Sequence, residues 1–198
     1  MTAERPTSER DPTVWAGVVE PALIGVVGLG AVFASFAAAP GWIGVAGAAL
    51  AALTLAIAVV DRRRLIIPDE LNALAFLAGL AAAGLTTQDA AGEAVLNALL
   101  RAALMFGAFF AFRAGYRRLR GREGMGLGDV KLAAVAGVWL NWVDLPIAVD
   151  IAALSALASA LLGRVRGKEF SLTAKLPFGF FFAPAIWICW LLAIWRGD

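Results

Sequence analysis

Histidine is absent from this 198-residue chain, and cysteine occurs once, as Cys189. Without histidine there is no Ser-His triad, no imidazole acid–base catalysis and no basis for most zinc or haem sites. A single thiol excludes an internal disulfide and a paired-cysteine zinc site. Charged residues make up only 16% of the chain. Any catalysis must therefore use carboxylates, Lys, Ser, Tyr or the lone Cys, and we expect no cofactor, metal ion or nucleic acid as a partner.

Apolar residues form 61% of the sequence, more than a soluble domain of this length can bury. They fall into seven runs near the roughly 20 residues that a membrane-spanning helix needs. The predicted spans lie at about 15–38, 42–61, 70–85, 94–115, 126–142, 145–163 and 176–195. The third and fifth are short, so they must be buried among other helices or partly re-entrant. The sequence predicts an all-α, polytopic integral membrane protein, with the lipid bilayer as its surroundings.

Basic residues occur in alternate connections between the predicted spans. The basic connections are the N-terminal tail, 62–64, 117–122 and 164–175. The connections without Lys or Arg are 39–42, 86–93 and 141–146. Because Lys and Arg favour cytoplasmic loops, this pattern predicts a cytoplasmic N-terminus and about seven transmembrane helices. We expect a polar cytoplasmic tail at 1–14, without a cleavable signal peptide, and one transmembrane domain at 15–198.

Two carboxylates, Asp61 and Asp129, border predicted spans on the cytoplasmic side. Asp61 ends the second span and Asp129 opens the fifth, so both reach one membrane face at similar depth. An ionisable residue at such a position is costly and indicates function. Two carboxylates held together away from bulk water share a proton, so one can activate water while the other protonates a carbonyl oxygen. This is aspartic peptidase chemistry; which residue is the acid and which the base stays open.

The residues around these acids also have structural interpretations. Asp129 alone suits a helix N-cap, and Asp61 alone is an interfacial acid neutralised by the arginines at 62–64. Asp69 follows Pro68 and suits the N-cap of the third span, with a supporting role near the site as the alternative.

The glycine-rich segment before Asp129 allows two interpretations as well. Gly126 and Gly128 let the backbone bend or approach a neighbour closely, or they only loosen the start of a helix. Lys131 either extends to the lipid head groups or favours the charged form of a carboxylate. Farther away, Arg101 and Asp150 lie toward the outer side of their spans, where we predict a structural ion pair.

Two motifs, in this order, resemble those of the type IV prepilin peptidases, aspartic proteases of the GxGD class. The motifs are Asp61-x(6)-Pro68-Asp69 and GLGDVKL at 126–132. The resemblance implies that Asp61 and Asp129 are the catalytic pair. It extends over about 42–195 and includes similar stretches at 123–139 and 176–185.

The resemblance also implies a substrate and a location. The substrates would be prepilins of type IV pili or pseudopilins of type II secretion, in the bacterial inner membrane. A basic leader would be cut after Gly at the cytoplasmic face. Longer family members carry an extra span and a CxxC domain linked to N-methylation, which are not seen here, so we expect peptidase but not methyltransferase activity. Phe180 stands where the family usually has a second Pro. No substrate-binding residue and no oligomeric state is assigned.

Three other functions are compatible with these residues. A multi-span transporter or channel would use acids at span ends to carry protons or cations, although no inverted repeat is visible. Another GxGD protease, resembling presenilin or signal peptide peptidase, would have more spans, a Tyr before the first acid and a late PAL motif. This chain has Val60-Asp61 and Pro184-Ala185-Ile186 at those places. A purely structural membrane subunit would use both acids as helix caps.

Overall fold

The computed structural model describes residues 12–86, 90–165 and 177–197, and these residues form seven α-helices. The helices are α1 (Pro12–Ala38), α2 (Trp42–Arg64), α3 (Asp69–Thr86), α4 (Ala91–Arg120), α5 (Leu127–Trp139), α6 (Asp144–Val165) and α7 (Phe178–Arg196). Each predicted span corresponds to one helix, with bounds that shift by a few residues.

The lengths and compositions of the helices are those of a membrane protein. Among the described residues, α2, α4, α6 and α7 are long and apolar enough to cross a bilayer, and α1 has a shorter apolar stretch at Ala22–Ala38. α5 has only 13 residues, about 20 Å, against a hydrocarbon core of about 30 Å. The structure confirms an all-α, polytopic membrane protein. That all seven helices cross the bilayer, with the N-terminus in the cytoplasm, stays a prediction.

The short helix α5 lies inside the bundle, as predicted for a span of this length. It packs against α3, α4 and α7. Its apolar residues Val130, Leu132, Val135 and Ala136 are almost completely buried. In contrast, α4 presents many large apolar side chains to the outside, including Leu104 and Phe112. Because α5 is buried among three helices, they fix its position and with it the position of Asp129 in its first turn.

Two helices, α1 and α4, extend beyond the spans predicted for them. α1 begins at Pro12, three residues before the predicted start of the first span, and 1–11 lie outside the described residues, so the cytoplasmic tail at 1–14 stays a prediction. The basic residues predicted at 166–175 also lie outside them. The long α4 continues to Arg120 and stops at Gly121, whose left-handed backbone (φ 68°) ends the helix.

The predicted ion pair between Arg101 and Asp150 is wrong. The Arg101 Nε donates to the carbonyl oxygen of Gly137 at 3.1 Å, because α4 packs against α5 along this stretch. α6, which carries Asp150, packs against α7 instead. The ion pair between those two helices joins Arg196 to Asp144, a carboxylate that is 1% exposed.

Candidate active site

Asp61 lies in the last turn of α2 and is buried, with 5% of its surface exposed. The helix ends at Arg64. The next residue, Leu65, has a left-handed backbone (φ 54°) and donates its N–H to the Asp61 carbonyl at 2.8 Å. The chain then turns into the segment that leads to Pro68 and α3. Asp61 is therefore held near the C-terminal end of a helix, where the helix dipole is negative.

Asp129 is the third residue of α5. Its Oδ2 accepts a hydrogen bond from the N–H of Gly126, the residue that caps the helix, at 3.1 Å. Asp129 therefore caps the helix through Oδ2, as its structural interpretation predicts. It does so as the third residue of α5, whereas the N-cap residue is Gly126. The other oxygen, Oδ1, is buried and has no hydrogen-bond partner in the described part of the chain. That oxygen takes no part in capping the helix.

The N-terminus of α7 brings the two carboxylates together. The N–H of Phe180 donates to Asp61 Oδ2 at 2.9 Å. The N–H of Gly179 interacts with both Asp61 and Asp129, and the two carboxylates are close enough to repel each other. Two acids that are 68 positions apart in the chain (129 minus 61) therefore share one site.

This arrangement has a simple electrostatic cause. The first N–H groups of a helix have no partner within the helix and form its positive end. Gly179 and Phe180 are the second and third residues of α7, so their N–H groups point out of the helix toward the acids. They offset the mutual repulsion of the carboxylates and the unfavourable dipole of α2.

Two glycines make this close packing possible, and Ile67 lies next to both. A Cβ atom on Gly179 would lie 3.0 Å from Asp61 Oδ2 and 2.6 Å from Ile67 Cδ1. A Cβ atom on Gly128 would lie 2.9 Å from Ile67 Cβ. The close-approach interpretation of Gly128 is the one that the structure supports. Gly179 belongs to the late segment that the sequence singled out, but its contact with the acids was not predicted.

The structure also places the supporting residues Pro68, Asp69 and Lys131. Lys131 Nζ forms an ion pair with Asp69 Oδ1 at 2.6 Å, so its charge is directed to α3 rather than to Asp61 or Asp129. Asp69, predicted as the N-cap of the third span, is instead the first residue of α3. The carbonyl of Pro68 accepts the N–H of Asn72 at 3.3 Å, which fixes the entry to the helix. These residues connect α3 to the start of α5.

Three residues near the site were missed by the sequence-based predictions. Phe180 contributes a main-chain N–H, which no side-chain pattern can reveal. Asn72 donates from Nδ2 to the Gly128 carbonyl at 3.3 Å, and Arg113 Nε donates to the Met125 carbonyl at 3.0 Å. Asn72 and Arg113 are polar residues within apolar helices, and that was the only available signal. Within the described ranges, no three Cys, Asp or Glu side chains cluster in a way that could hold a metal ion.

Comparison with known proteins identifies the family to which this chain is similar. The model of the type IV leader peptidase family matches residues 48–161. The leader peptidase HopD of Escherichia coli is 35% identical over 136 residues, which cover 68% of this chain and 84% of that protein. A prepilin leader peptidase/N-methyltransferase of Aeromonas hydrophila is 33% identical over 155 residues, 77% of this chain and 51% of that protein. The chain thus spans about half the length of the Aeromonas relative. No solved structure gives a significant match.

Proposed function

This chain belongs to the type IV leader peptidase family, and from that premise we propose that it is an aspartic endopeptidase that removes the leader of prepilin-type precursors. Asp61 and Asp129 carry the reaction. The substrates are prepilins of type IV pili or pseudopilins of type II secretion, and cleavage occurs at the cytoplasmic face of the inner membrane. The proposal concerns peptidase activity alone.

The observation that carries this proposal is the meeting of two carboxylates at the N-terminus of α7, the buried one of Asp61 and the half-buried one of Asp129. One carboxylate takes a proton from a water molecule, whose oxygen attacks the carbonyl carbon of the scissile peptide bond. The other carboxyl group donates its proton to the carbonyl oxygen. When the C–N bond breaks, a proton passes to the leaving amine, which yields a leader ending in a carboxylate and a mature chain with a new amino terminus.

The surroundings of the two acids suit a pair that shares one proton. Asp61 accepts the N–H of Phe180, Asp129 Oδ2 accepts the N–H of Gly126, and the N–H of Gly179 interacts with both acids. Among the described residues, Asp129 Oδ1 has no hydrogen-bond partner. A shared proton between two close carboxylates removes one negative charge from a buried site. The pair titrates as a unit, so the acid and base roles are not divided between the residues.

The test uses the purified chain in lipid vesicles with a model precursor, a basic leader ending in Gly followed by an apolar helix. Mass spectrometry of the products should show a single cut after that Gly. The same vesicles, loaded with a pH-sensitive dye, report proton flux. An intact precursor would contradict the proposal, and an intact precursor with flux driven by an ion gradient would favour the transporter alternative.

A further inference from the structure

Arg113 of α4 anchors the loop between α4 and α5, residues 121–126, at two points. Arg113 Nε donates to the Met125 carbonyl at 3.0 Å, and its Nη2 pairs with Glu123 Oε1 at 2.5 Å. The Arg113 side chain is only 13% exposed. The planar guanidinium therefore fixes two points of the loop at once, which a lysine cannot do in the same geometry. One turn along α4, the ring of Tyr116 packs against Gly124 of the same loop.

α3 holds the next residues from the other side. Asn72 is 4% exposed, and its Nδ2 donates to the Gly128 carbonyl at 3.3 Å. The two anchored carbonyls, of Met125 and Gly128, lie on either side of Gly126 along the chain. Gly126 is the residue whose N–H donates to Asp129 Oδ2.

If the proposed function holds, we propose that Arg113 is a positioning residue for Asp129, with Asn72 as its counterpart on α3. The segment from Gly124 to Gly126 has little conformational restraint of its own, because glycine reaches many backbone conformations. Anchors outside the segment must therefore fix the Gly126 N–H. Without them Asp129 keeps its place in α5 but its carboxylate loses a defined orientation. A misplacement of about 1 Å at a reacting group costs up to roughly 100-fold in rate.

The chain contains a matched control for Arg113. Arg101 lies on the same helix and also donates its Nε to a main-chain carbonyl, that of Gly137 in α5, at 3.1 Å. The two arginines are separated by about 18 Å along α4. The bond from Arg101 joins α4 to α5, whereas the bond from Arg113 joins α4 to the loop that leads into α5, four positions before Asp129.

The experiment compares Arg113→Gln, Arg113→Lys and Arg101→Gln in the full chain. For cleavage of the model precursor, Arg113→Gln should lower kcat by about 10- to 100-fold with little change in KM. Arg113→Lys should recover part of the loss. Arg101→Gln should lower the thermal midpoint while the folded protein keeps its kcat. Hydrogen–deuterium exchange of the Gly126 amide should rise in Arg113→Gln and not in Arg101→Gln.

Asn72→Leu separates positioning from stability. The Asn72 Oδ1 is buried without a hydrogen-bond partner in the described part of the chain, so this change removes an unsatisfied oxygen as well as one hydrogen bond. We expect an almost unchanged thermal midpoint together with a lower kcat.

Three results would overturn this inference: unchanged Gly126 exchange in Arg113→Gln, faster exchange with wild-type kcat, or equal kcat losses for Arg113→Gln and Arg101→Gln. The exchange measurement needs no substrate. A wild type that leaves the precursor intact would therefore overturn the proposed function, whereas unchanged exchange would overturn the anchoring role itself.

Discussion

Gly179→Ala adds one methyl group at the point where α7 meets the two acids. The new Cβ atom would lie 2.6 Å from Ile67 Cδ1 and 3.0 Å from Asp61 Oδ2. Since carbon atoms pack at about 3.5–4.0 Å, the contact with Ile67 requires a displacement of about 1 Å. The end of the Ile67 side chain can take up part of it, but the carboxylate of Asp61 blocks the other direction. The N-terminus of α7 must therefore move away from Asp61.

The consequence for activity follows from one hydrogen bond. The Phe180 N–H lies 2.9 Å from Asp61 Oδ2, and a retreat of about 0.5–1 Å would stretch this bond to the limit of its range. We expect kcat to fall by about 10- to 100-fold. Overpacking should cost about 1–3 kcal/mol of stability, partly offset by about 1 kcal/mol from the better helix propensity of Ala.

The assay is cleavage of the model precursor at equal amounts of folded protein, with thermal unfolding measured in the same detergent. Gly107→Ala is the control, since that glycine lies within α4 and a Cβ atom there would meet nothing within 4 Å. It should keep its kcat. Wild-type kcat in Gly179→Ala, or the same loss in both variants, would refute the close contact between α7 and Asp61.

Three further changes follow, two near the site and one at the opposite end of α7. Gly128→Ala should reduce cleavage by roughly 10-fold or more, because its Cβ atom would lie 2.9 Å from Ile67 Cβ, an atom that cannot rotate away; an unchanged rate would show that α5 has room to shift. Lys131→Gln removes an ion pair whose side chains are 41% and 68% exposed, so unfolding should become easier by only about 0.2–1 kcal/mol. A loss of several kcal/mol would show that this pair is shielded from water. Arg196→Ala leaves the buried carboxylate of Asp144 without that partner and should cost about 1–3 kcal/mol, measured by thermal unfolding; an unchanged midpoint would mean that the Asp144 carboxylate is stabilised by other groups.

The helices were predictable because their apolar runs are separated by short polar or glycine-containing breaks. The Arg117–Gly121 stretch, for example, ends α4 through a positive-φ glycine. Asp61 and Asp129 were predictable as partners because the alternation of basic connections placed both at one face. Residue type and charge are properties that a sequence records directly.

The contacts around the two acids were not predictable in the same way. The donors from Gly179 and Phe180 are main-chain groups, and their direction depends on how α7 packs against α2. The expected pairing of Arg101 with Asp150 failed for a related reason. The Arg101 side chain instead donates to the Gly137 carbonyl of α5, the helix that packs against α4 along this stretch. Helix adjacency is a tertiary property that charge patterns do not determine.

If Asp61 and Asp129 act together on one water molecule, the loss of either carboxyl group abolishes cleavage. The most direct measurement is the initial rate of precursor cleavage by Asp61→Asn and by Asp129→Asn, with Asp150→Asn as an isosteric control on α6. Each of the first two changes keeps the shape of the side chain but removes its ability to exchange a proton. We expect both to abolish cleavage while Asp150→Asn cleaves at the wild-type rate. Full cleavage by either of the first two variants would contradict the mechanism.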